Sequence, residues 1–160
     1  MLTIFAPIMV VATFWWAQSR SLNPEERLLF KKLDAAISHE PPRAADIIDA
    51  FDLPDECRQK TCFLEAGKIG NLRYSSIGLR QSKEGTIFEI EGFTNACVRA
   101  DRVKSYFGTR APAQSCDDAI CWCADARRSW GILAFKLDRP HSRCVSSAVI
   151  NSLPEQRPRT

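Results

Sequence analysis

Two histidines, two tyrosines and seven glycines are all that the 160-residue chain contains of these types, and the scarcity excludes several chemistries. His39 and His141 lie far apart and no Cys-x2-Cys pair occurs, so the ligand spacing of a zinc site is missing. The same gap excludes thioredoxin-like redox chemistry and haem attachment. No Gly-rich phosphate loop, nucleophile elbow or metalloprotease motif is present. Basic charge is also short: of the net +3, Arg20 supplies one unit and Glu155, Arg157 and Arg159 together another, leaving about +1 for the central body. A phosphate-binding stripe is therefore not indicated. Its nearest approach, Arg127-Arg128 beside Trp130, reads as a polar hairpin turn.

Cysteine is what the chain has in excess. Seven of them, without metal-ligand spacing, point to disulfides and hence to an oxidising compartment, the periplasm or the cell exterior. Residues 1–17 are apolar apart from Thr3 and Thr13 and end in Trp15-Trp16, a pair suited to a membrane interface. The run is at the lower limit for a spanning helix. It suggests a retained anchor over a cleaved signal, because bulky tryptophans stand where cleavage segments prefer small residues; a buried core helix is the plain alternative. Arg20, Arg27, Lys31 and Lys32 all follow the run, which by the positive-inside rule would leave the body in the cytoplasm. The cysteines outweigh that count, since a few Lys or Arg residues ahead of the run would reverse it.

One pattern is written twice. Arg43-Ala44-Ala45-Asp46-Ile47-Ile48-Asp49-Ala50-Phe51 precedes Cys57-x4-Cys62, and Arg99-Ala100-Asp101-Arg102-Val103-Lys104-Ser105-Tyr106-Phe107 precedes Cys116-x4-Cys121. Each copy is a short helix pattern, a cysteine pair and strand-like text, as in a duplicated unit that cannot cover its own apolar face.

Asn23-Pro24-Glu25-Glu26 predicts a capped helix start with Leu29, Phe30, Leu33 and Ile37 on one face. A second helix is predicted over 43–51, strands over 62–66, 72–80 and 86–92, and a helix capped by Asn95 and stopped by Gly108. A short strand at 121–124, a turn at 126–129, a strand over 130–137 and a last strand over 143–150 follow. The expected fold is α+β: two repeated helix-plus-antiparallel-strand units, at 41–94 and 95–150, forming one sheet with helices on one face. An N-terminal anchor or signal segment (1–19), a membrane-proximal helix (20–40) and a disordered tail (151–160) complete the division.

Local Cys-x4-Cys bridges, Cys57 with Cys62 and Cys116 with Cys121, are the first expectation, and Cys97 with Cys144 would join helix to sheet. Cys123 is then the free thiol, although Cys116 could select it in place of Cys121. A soft ion such as Cu(I) held by Cys121 and Cys123 is the functional rival to structural bridges. No resident metal or cofactor is expected. Glu89 and Glu91 share a strand face and could serve as an acid/base pair, but alternation alone accounts for them as solvated residues. His39 and His141 read as polar helix-end and turn residues. Trp130 is either an exposed interface anchor or a core residue under a covering loop.

The tandem layout, carried by the duplicated Arg-Ala, Phe and Cys-x4-Cys text over 41–150, resembles the β-lactamase-inhibitor-protein-like fold, shared with small outer-membrane assembly lipoproteins that hold a single unit. No lipobox cysteine follows the leader, so anchoring would differ from that of the lipoproteins. The resemblance implies an open sheet face that grips a protein. By strand parity Tyr74, Glu89, Glu91, Trp122, Trp130 and Lys136 stand on that face. The resulting expectation is a non-enzymatic, exported and membrane-tethered binding module, most sharply an inhibitor or immunity-type protein that blocks a hydrolase or toxin. The alternatives are a scaffold in an envelope assembly or secretion machine, and a thiol or soft-metal protein.

Overall fold

Helix α1 (Pro24–Ala36) begins where the capping signal places it: Asn23 Oδ1 accepts the Glu26 N–H at 2.7 Å and Glu26 Oε2 accepts the Asn23 N–H at 3.0 Å. The computed structural model describes residues 22–109, 116–117, 120–137 and 142–153, those at 116–117 and 120–124 by their backbone. The 1–19 segment, His141 and positions 154–160 of the expected tail lie outside the described residues. Among the described residues no helix is long and apolar enough to cross a membrane.

Leu29, Phe30, Leu33 and Ala36 of α1 are fully buried, so this helix belongs to the core. Helix α2 (Ala44–Phe51) buries Ile47, Ile48 and Phe51 and ends in Asp52 at φ 55°, where Lys32 of α1 donates to Ala50 O at 2.7 Å and Asp52 Oδ2 at 2.8 Å. A short 3-10 turn (Asp55–Arg58) leads to β1 (Cys62–Leu64), joined by the Cys57–Cys62 disulfide. The chain continues through β2 (Gly67–Ile69), β3 (Leu72–Tyr74), β4 (Ser76–Gln81), β5 (Thr86–Glu91) and β6 (Val98–Arg99) to α3 (Ala100–Phe107). Then come β7 (Cys116–Asp117), β8 (Ile120–Arg128), β9 (Gly131–Leu137) and β10 (Cys144–Asn151).

The main sheet is antiparallel in the order β1-β4-β5-β10-β9-β8-β7, with β6 paired to the start of β10; β2 and β3 form a separate hairpin. Two meanders thus abut through their last strands, β5 and β10, and the helices cover one face. Phe51 of α2 meets Phe88 at 4.6 Å between ring centroids, and Phe107 of α3 meets Phe135 at 5.5 Å. The α+β class and the sheet with helices on one side agree with the sequence reading.

Four local expectations are corrected. The predicted strand over 72–80 is broken at Ser75, whose N–H turns to Glu91 O, because β3 folds back on β2 in its own hairpin. Asn95 does not cap α3; it sits at φ 67° in the connection, and the helix starts after Arg99. Val98 and Arg99 are taken by pairing with β10, which the Cys97–Cys144 disulfide holds in place. The turn expected at 126–129 is strand as far as Arg128, and Asn151, placed in the tail by its polarity, ends β10.

Candidate functional site: the open sheet face

Alternation on β5 buries Thr86, Phe88 and Ile90 under the helices and turns Ile87, Glu89 and Glu91 to the opposite face. Register carries this parity across the sheet. Gly78, Glu89, Val149 and Ala134 lie in one row, and Ser76, Glu91, Ser147 and Lys136 in the next.

Lys136 stands over the junction of the two meanders. Its Nζ donates to Glu89 Oε1 at 2.7 Å and lies 3.6 Å from Glu91 Oε1. Burial pushes Glu89 upward, but the Lys136 ammonium, a hydrogen bond shared with Glu91 and the charge of Arg80 together hold it below the usual carboxylate range. Glu91 moves the other way: burial first, then the hydrogen bond and charge of Glu89, raise it. One ammonium therefore serves two carboxyl groups, and the inner one takes the larger share.

At the edge of the face stands Phe63, a residue the sequence analysis missed. It is 66% exposed, lies opposite Gly78 on β4, and has the Arg80 guanidinium 5.5 Å from its ring centroid. A Cβ at position 78 would come within 3.3 Å of the ring, so glycine makes room for the aromatic. A signal existed: once Cys62 is bridged inward, strand parity turns Phe63 outward.

Of the six residues expected on this face, Glu89, Glu91 and Lys136 are brought together. Trp122 is paired with Lys136 in backbone register, its side chain lying outside the described residues. Tyr74 is corrected: it lies on the β2–β3 hairpin, half-buried against the core, with its ring over Gly67, and burial raises its hydroxyl pKa. Trp130 is also corrected. It occupies the β8–β9 turn and is 9% exposed within the core cluster, because β9 starts one residue later than its apolar text suggests.

The Cys57–Cys62 and Cys97–Cys144 bridges are present as expected, while the side chains of Cys116, Cys121 and Cys123 lie outside the described residues. Among the described residues no three His, Cys, Asp or Glu side chains gather as a metal site. A cleft of about 1140 Å³ opens at the end of the sheet between Glu40, Glu84, Arg127, Trp130 and Leu153. The Glu89–Glu91 pair lies outside it, on the open face. No family model, curated protein or solved structure matches the chain.

Proposed function

We propose that the protein is an exported protein-binding module, tethered to the membrane through its first segment, that engages another protein with the open face of its sheet. Its sharpest form is an inhibitor or immunity-type protein that fills the cleft of a hydrolase or toxin and excludes the substrate. The observation that carries this reading is Phe63, a large aromatic held in solvent on a disulfide-anchored strand, with Arg80 across its ring. Such aromatic and arginine groups are the usual energetic anchors of interfaces. The Glu89–Lys136–Glu91 cluster supplies a charged centre that is already positioned before a partner arrives. Two disulfides suit an oxidising compartment, of which the periplasm is the specific choice here. The abutting meanders support the likeness to the β-lactamase-inhibitor-protein-like layout.

Capture from envelope extract on the immobilised protein tests the reading. Phe63→Ala should weaken retention of a captured protein at least tenfold while leaving the melting temperature within about 2 °C, since an exposed side chain contributes little to the core. Unchanged capture by both Phe63→Ala and Lys136→Glu would remove the face from the function. Capture of a hydrolase or toxin supports inhibition, whereas capture of a machine component favours the scaffold.

A further inference from the structure

We propose that Cys116 and Cys121 form a third disulfide, a cross-strand bridge that fastens the outermost strand β7 to β8 and leaves Cys123 as the single thiol of the chain. The backbone places Cys116 and Cys121 directly opposite one another in the antiparallel β7–β8 pair, with Asp117 opposite Ile120. Residues opposed in this way in an antiparallel pair have Cα atoms about 4.5–5.5 Å apart. That spacing lies within the range a disulfide bridges.

Register also decides between the two possible partners. Cys123 falls at the register shift between Trp122 and Ala124, two residues beyond the position that faces Cys116. The first half of the chain carries the same cysteine spacing in a different backbone setting: Cys57 on the 3-10 turn and Cys62 on β1, also five apart, are bridged with Cα atoms 5.2 Å apart. The duplicated Cys-x4-Cys text thus has one copy closed and the other aligned for closure.

The bond forms by exchange with an oxidised disulfide donor. Two S–H bonds break, one S–S bond forms, and the donor leaves as two thiols carrying the two electrons and two protons. The bridge would lock the sheet edge from which β8 runs to Trp122, the register partner of Lys136 on the open face. This inference is independent of what that face binds.

The test is disulfide mapping of the full chain folded in a glutathione redox buffer, alkylated without reduction and cleaved after Trp122 and before Asp117, so that Cys116, Cys121 and Cys123 fall on separate peptides. With four of the seven cysteines in the two bridges already described, the expected result is one alkylated thiol per chain, on Cys123, and a linked Cys116–Cys121 peptide. Recovery of those two bridges together with alkylation of Cys116 and Cys121, or a linked Cys116–Cys123 peptide, overturns the proposal. A Cys123→Ser variant should lower the count to no free thiol; a count of two or more in that variant likewise overturns it.

Discussion

Glu26 is buried to 1% exposure and serves two helix starts. One carboxylate oxygen accepts the Asn23 N–H of α1, and the other accepts the Arg99 N–H at the head of α3 at 2.9 Å. Glu26→Ala leaves both donors without that acceptor and is expected to cost about 2–4 kcal/mol, with Glu26→Gln recovering part of the loss. Chemical denaturation of the two variants measures this; a loss under 1 kcal/mol for the alanine would show that water replaces the carboxylate. The first of these bonds was legible in the Asn23-x-x-Glu26 spacing, but the second joins residues 73 apart, where local text carries no information. Trp130 shows the same boundary. Its position among apolar residues signals burial or an interface equally well, and only the β8–β9 turn decides between them. Trp130→Ala should therefore act through folding, lowering stability by about 3–5 kcal/mol, and a melting temperature close to that of the parent would refute its core role.

At the scale of elements, alternation made β5 and β9 legible because each has one face against helices and one turned away. It failed for β6, whose two residues become strand only by pairing with β10 beside a disulfide. Pairing also assembles the face, since Lys136 comes from β9 and both glutamates from β5, with β10 between them. Lys136→Met is expected to destabilise the fold at neutral pH by about 1–2 kcal/mol, because the partly buried carboxylates lose their shared ammonium. The sign of its pH dependence follows from Glu89, whose pKa is lowered in the folded state. That stabilisation is present above the unfolded carboxylate pKa and disappears as pH falls through the folded one. Glu91, raised in the fold, contributes oppositely: its favourable term is full below the unfolded pKa and is lost as pH rises through the folded value. The gap between parent and Lys136→Met should accordingly be widest near neutral pH and close only as the pH falls below the ordinary carboxylate range, as urea titrations would record. A gap that persists in acid would mean that the lysine acts through its aliphatic stem.

For the whole molecule, the question is how the two meanders and the three helices of the described residues become one body. In the sheet they meet along β5 and β10, where Ile90 opposes Ala148 and Phe88 opposes Ile150, all four buried. The disulfides act on this arrangement at different ranges. Cys57–Cys62 closes a loop of sequence separation 5 and fixes the passage from α2 to β1. Cys97–Cys144 spans a separation of 47 and ties the start of β6, just ahead of α3, to β10 on the junction itself. A longer closed loop removes more freedom from the unfolded chain, so loop-entropy arithmetic assigns about 4 kcal/mol to the second bridge and about 2 kcal/mol to the first. Cys97→Ser/Cys144→Ser should thus lower the melting temperature well beyond Cys57→Ser/Cys62→Ser, the two being compared in the same buffer by circular dichroism. The native contacts point the same way, because opening the long bridge loosens β6 against β10 and the Arg99 N–H that Glu26 accepts, whereas opening the short one loosens a four-residue turn in which Cys57 alone is buried. Equal losses from the two double variants would show that the unfolded chain is already compact around residues 97–144, so that the loop length ceases to matter.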